Sequence, residues 1–164
     1  MVEAGTGEFD AALDSLAPFE IGSLAQCGDE QLTRIAVAAE ALARRLGGIQ
    51  MAVAAQIADR SRRELGTAGL AARHGCVRPA AFLEVLLRVS GTEAARRIQL
   101  GSALRRSQAL TGELLQPRFP ILAGAVAAGD VNAEAATVIV RALDEARRAA
   151  DPADLDVAEA GLVE

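Results

Sequence analysis

Apolar residues at Leu32, Ile35, Ala39, Leu42, Leu46, Ile49, Val53 and Ile57 recur at spacings of three and four, the seam of a long helix that packs along one partner. The spacing predicts a helix that opens at Asp29 as N-cap, runs to about Glu64 and ends at Gly66, with Gly47 and Gly48 as the site of a bend or break. Such a seam requires a partner helix, either from the same chain or from a second copy of it. A homodimer through this helix is therefore one expectation.

After the turn-rich stretch GTAGLAARHGCVR the period returns in shorter pieces. Pro79 suits a first helical position, and AAFLEVLLRV places Phe82, Val85, Leu86 and Val89 on one side of a short helix. SGTE at Ser90 reads as a capping box, in which the serine accepts from the third helical residue and Glu93 reaches back to the cap. Short helix, turn with Gly91, second helix: this is the helix-turn-helix outline. Projected at about 100° per residue, Ala94, Ala95, Ile98, Gly101 and Leu104 gather on one side, with Arg96, Gln99, Ala103 and Arg106 within about 80° of one another opposite them. Arg97 and Arg105 fall at the border, able to reach an internal carboxylate or a phosphate.

A weaker echo follows about forty residues on. FPILAGAVAAGDVNAEAATVIVRALDEARR has a helix opening at Pro120, a Gly129-Asp130 turn, a cap at Asn132 and a second helix with Ala135, Ile139, Ala142, Leu143 and Ala146 on one face. Glu93, Ala94, Ala95 and Ile98 match Glu134, Ala135, Ala136 and Ile139 at a constant offset. The outward face of this copy mixes Thr137, Arg141 and Arg148 with Asp144 and Glu145, which reads as structural. A last helix opens at Asp151 and Pro152, and its pattern still runs at Glu164, as a helix cut short would.

Composition sharpens the class. The apolar residues are mostly Ala, Leu and Val, with four Phe and no Trp or Tyr, which suits thin, close-packed helices better than sheets. The expected fold is all-α: a long N-terminal helix (about 29–65) followed by a compact bundle of short helices with helix-turn-helix-like units (about 77–164). Residues 1–28 form an acidic, loosely ordered leader, with a short helix around Phe9 to Leu16. No apolar run is long enough to span a membrane. With no signal peptide, Cys27 and Cys76 are expected as free thiols in a reducing cytoplasm.

The charge is unevenly placed. Residues 1–40 carry eight acids and one Arg, net −7, residues 60–106 carry ten Arg against Glu64, Glu84 and Glu93, net +7, and residues 107–164 return to −6. A basic middle between acidic flanks is a footprint for phosphate, unless the flanks fold back and neutralise it. The candidate nucleic-acid-binding residues are Arg96, Gln99 and Arg106 on the second helix, because Arg offers paired donors to guanine or phosphate and Gln can pair with adenine. Arg88, Arg73, Arg78, Arg62 and Arg63 would add phosphate contacts. The plainer reading is that any surface helix turns polar residues outward, and helix-turn-helix outlines also serve purely as packing units.

Other chemistry is thin. His74 and Cys76 would make only half of a metal site and read as a turn histidine and an ordinary thiol. Ser90 is a helix cap without a base beside it. The glycines do not fall in phosphate-loop spacings. No catalytic residue, metal site or cofactor site is expected.

The order of segments, together with SGTEAARRI and AAGDVNAEAATVIVRAL, resembles the actinobacterial family known as domain of unknown function 222, which includes the 13E12 repeat proteins. The resemblance covers roughly residues 29–164. It implies a helical domain standing in front of an HNH nuclease, in a parent protein that acts on DNA. An HNH centre needs at least two histidines and usually cysteine pairs; this chain has one histidine, and its two cysteines lie 49 positions apart. The expectation is a non-catalytic accessory domain that associates with duplex DNA and positions a separate nuclease. The alternative is a helical dimerisation or protein-interaction module without nucleic-acid binding.

Overall fold

The computed structural model describes residues 6–109, 111–148 and 150–163. Among the described residues its regular secondary structure is helical apart from one small two-stranded ladder, as the composition predicts. Two compact units divide it, residues 1–39 and 40–164.

The first unit contains α1 (Gly7–Leu16), a 3-10 turn at Ile21–Gln26 and the opening of α2 (Asp29–Asp59). Asp29 is not the cap of α2 but its first residue: Leu32 N–H donates to the Gly28 carbonyl at 3.0 Å. Asp29 and Glu30 therefore sit in the first turn, where acids complement the helix dipole.

The rest of α2 belongs to the second unit and corrects two expectations. It runs unbroken through Gly47 and Gly48. A Cβ at Gly48 would stand 3.0 Å from the Val126 carbonyl oxygen, so the bare backbone there admits a neighbouring helix instead of making a bend. The helix also stops at Asp59 rather than near 65. The Ser61 hydroxyl donates to the Ile57 carbonyl at 2.7 Å and accepts from Ala71 N–H at 3.0 Å, drawing the chain into a turn. A 3-10 segment follows at Arg63–Ala68, with Gly66 at φ 51°.

Then come α3 (Leu70–Arg73), α4 (Pro79–Leu87), α5 (Gly91–Leu104), a two-residue antiparallel ladder of β1 (Ser107–Gln108) with β2 (Leu114–Leu115), α6 (Pro120–Ala128), α7 (Ala133–Ala146) and α8 (Pro152–Val163). The helix in the GTAGLAARHGCVR stretch and the small ladder were not foreseen in the sequence. The main core joins Met51, Leu100, Phe119, Leu122, Val126, Ile139, Val140 and Leu143, and a smaller one joins Ala54, Leu83 and Ala94.

α2 packs into these cores through Met51, Ala54 and Ala55. The seam read from the sequence therefore lies largely elsewhere on the helix. Leu42, Leu46, Ile49 and Val53 are all exposed. Small residues make the packing close: at Gly101 of α5 an added Cβ would overlap the Met51 carbonyl oxygen of α2.

Glu159 of α8 is the one buried charged residue among those described. Its Oε1 accepts from Leu122 N–H at 2.8 Å, in the first turn of α6. A carboxylate from a distant helix thus satisfies an N–H group that α6 leaves without an internal partner. Among the described residues no helix is long and apolar enough to cross a membrane, and Cys27 and Cys76 are free thiols.

Candidate nucleic-acid interface

Pro79 occupies the first turn of α4 as expected, and α4 ends with Arg88 in the left-handed region at φ 54°, ψ 39°. Among the described residues it is the one non-glycine with positive φ. Two residues later Ser90 caps α5, accepting from Glu93 N–H at 3.1 Å. Only this half of the capping box forms. The Glu93 carboxylate turns along α5 instead, receiving Arg96 Nε and Nη2 at 2.8 Å each and Arg97 Nε at 2.7 Å. The Arg96 guanidinium holds the Glu93 carboxyl down at about 2, Arg97 adds to this, and partial burial opposes it. The same bond raises the Arg96 pKa.

The exposed face of α5 differs from the one projected. Ala103 and Leu100 are buried and Ala95 is exposed, because α4, α6, α7 and Met51 of α2 enclose the helix on several sides. What remains outside is a narrow stripe of Thr92, Ala95, Gln99 and Ser102. Gln99 is thus presented as the sequence predicts. Arg96 is only partly exposed, and besides Glu93 it donates to the Ala133 carbonyl at 3.2 Å. Arg106 is exposed but lies beyond the end of α5.

The remaining arginines of residues 60–106 separate into two classes. Arg97 and Arg105 reach internal carboxylates, the second by an ion pair of 2.9 Å to Asp59, and Arg62 stands 3.4 Å from the same carboxylate. Arg60, Arg63, Arg73, Arg78, Arg88 and Arg106 are exposed and have no carboxylate within ion-pair distance among the described residues. The arginines of residues 107–163 that form ion pairs do so with acids of the same stretch, Arg118 with Asp144 at 3.2 Å and Arg141 with Glu145 at 3.8 Å. Among the described residues of the second unit, no acid of the tail pairs with those six arginines. The eight candidate residues do not form one cluster: Arg62 meets Arg105 at Asp59, Arg96 sits near the opposite end of α5, Arg88 marks the turn before it, and Arg73 and Arg78 flank the loop between α3 and α4.

α6 and α7 repeat the α4–α5 unit closely, but not in the register that sequence matching gives. The first helices correspond at an offset of 41, Pro79 to Pro120, each of nine residues ending in a left-handed residue, Arg88 or Gly129. The caps correspond at 42, because the second turn holds one more residue before Asn132, which accepts from Ala135 N–H at 2.8 Å. Each second helix then runs for fourteen residues. Matching Glu93 to Glu134 is therefore one residue out of structural register.

His74 stacks on the Phe82 ring at 4.8 Å between centroids, which makes it a packing residue of the α3–α4 corner. Among the described residues no three His, Cys, Asp or Glu side chains gather as metal ligands. An apolar cleft of about 310 Å³ lies between α2, α5 and α6 over Gly48, Met51, Gly101 and Val126. Its arginines, Arg45 and Arg105, are spent on the Ala127 carbonyl and on Asp59.

A family model described as Domain of unknown function (DUF222) matches residues 33–164. No curated protein and no solved structure matches the chain.

Proposed function

The chain belongs to the family described as Domain of unknown function (DUF222), whose model spans most of it, and on that footing we propose that its second unit is a non-catalytic helical domain that associates with duplex DNA. The observation that carries this reading is the set of six exposed arginines, Arg60, Arg63, Arg73, Arg78, Arg88 and Arg106, without carboxylate partners among the described residues. Unpaired guanidinium groups keep their full attraction for phosphate, whereas those tied to Asp59 and Glu93 would have to give up an existing partner. Phosphate contacts supply most of the affinity, and the Gln99 stripe of α5 is the part of the fold suited to touch base edges. The nuclease-associated setting that the sequence resemblance implies supports a role in positioning a separate HNH domain. Fluorescence anisotropy with a mixed-sequence duplex tests the reading: binding at about 50 mM salt that weakens steeply toward about 200 mM supports it, and no binding at the lower salt overturns it.

A second reading is favoured by one observation. Leu42, Leu46, Ile49 and Val53 keep the three-and-four spacing of a coiled-coil seam and are exposed, while α2 packs inward through other residues. Such a seam is complementary to itself, and a second copy of this chain is the partner it fits. The two readings are compatible, since a dimer presents two copies of every arginine. Sedimentation of wild type against Leu46→Glu tests the seam: a dimer lost in the variant supports it, and a monomeric wild type rejects it.

A further inference from the structure

The corrected repeat register brings out a basic surface that sequence matching hides. With Ser90 aligned on Asn132, Gln99 falls on Arg141 and Arg106 falls on Arg148. The inward positions agree with this register, since buried Ala94 and Gly101 fall on buried Ala136 and Leu143. The outward positions do not agree. Leu100 and Ala103 of α5 are buried, but their equivalents Ala142 and Glu145 on α7 are exposed. α7 is the less enclosed copy; its open face carries Arg141, and Arg147 and Arg148 follow its last residue.

We infer that the C-terminal end of α7, with Arg141 on the helix and Arg147 and Arg148 directly after it, is a second phosphate-contacting element that acts together with Gln99 across the groove between α5 and α7. This rests on the DNA-associating reading above and adds to it a site outside the basic segment 60–106. The groove, about 300 Å³, is lined by Arg96 and Gln99 from α5, by Arg141 from α7 and by Arg148 just beyond it. Its acids are weak competitors for a polyanion. Asp144 is held by Arg118 at 3.2 Å, and Glu145 faces Arg141 at a loose 3.8 Å with both side chains mostly in solvent. Arg147 and Arg148 are exposed, with no carboxylate in ion-pair distance among the described residues. The partner is the sugar–phosphate backbone of duplex DNA, followed by a row of guanidinium groups rather than read base by base.

The plainer role for cations at this place is to complement the C-terminal end of the α7 dipole. Arg147→Gln/Arg148→Gln separates the two, read by anisotropy with a mixed-sequence duplex and by thermal unfolding. If both arginines contact phosphate, the affinity lost between about 50 and 200 mM salt is about ten-fold smaller in the variant than in wild type, with the melting temperature little changed. A lowered melting temperature with an unchanged salt dependence assigns both arginines to the helix end and overturns the inference, while the DNA-associating reading stands. Wild type that does not bind overturns both.

Discussion

Arg96 donates to Glu93 through Nε and Nη2, at 2.8 Å each, and gives a third bond of 3.2 Å to the Ala133 carbonyl of α7. The residue that a helical projection turns toward DNA is thus a clamp between the start of α5 and the start of α7. Glu93→Gln weakens that clamp. Because the Glu93 carboxyl is held at about 2, below its ordinary 4.5, its contribution is complete above about pH 4.5 and is lost as the pH falls toward 2. Denaturant unfolding at pH 7 should show the variant less stable by on the order of 1–2 kcal/mol, after allowance for solvent screening. The gap should close by about pH 2, and a constant gap across the range would contradict the assignment.

Two glycines of the second unit carry opposite expectations. A Cβ at Gly101 overlaps the Met51 carbonyl, so Gly101→Ala must push α5 off α2, at a cost of about 1–3 kcal/mol. At Gly47 nothing stands within 4 Å of an added Cβ, and Gly47→Ala should stabilise the helix by about 0.5–1 kcal/mol. Paired melting curves check both signs.

Arg88 holds a left-handed backbone where its counterpart in the second repeat is Gly129 at φ 86°. A side chain there costs roughly 1 kcal/mol that glycine avoids. Arg88→Gly should therefore raise the melting temperature while lowering the salt dependence of duplex binding by about one phosphate contact. A variant that is both more stable and unchanged in binding would show that the arginine is not used on DNA.

Glu159→Ala removes the acceptor at Leu122 N–H from a buried site and should destabilise by about 2–4 kcal/mol. Glu159→Gln keeps an oxygen there, and should lose less. Equal losses in urea unfolding would mean that the charge, rather than the hydrogen bond, holds the first turn of α6.

The helices were legible where one stretch of chain contains the whole cause. Pro79, Pro120, Ser90 and Asn132 act within a turn of their own positions, and each sits where its chemistry predicts. Features that depend on distant partners were not legible. The inner face of α2 is set by Val126 and Gly101, residues far along the chain, so a seam of larger side chains misdirected the reading while the glycine pair looked like a hinge. Glu159 gave no signal, since its partner lies 37 residues away. For the arginines, composition gave the number but not the pairing. Whether a guanidinium is free or spent depends on where Asp59 and Glu93 fall in space, and the extra residue before Asn132 concealed the equivalence of Gln99 with Arg141.

The central claim is that the unpaired arginines of the second unit hold DNA while the paired ones hold the fold. Its most direct test is the salt dependence of duplex binding for Arg63→Gln/Arg73→Gln/Arg78→Gln/Arg88→Gln beside wild type, with far-UV circular dichroism to establish that both are folded. The account predicts an unchanged helical spectrum and a slope of log K against log salt reduced by about 3–4. A folded variant that keeps the wild-type slope would contradict it.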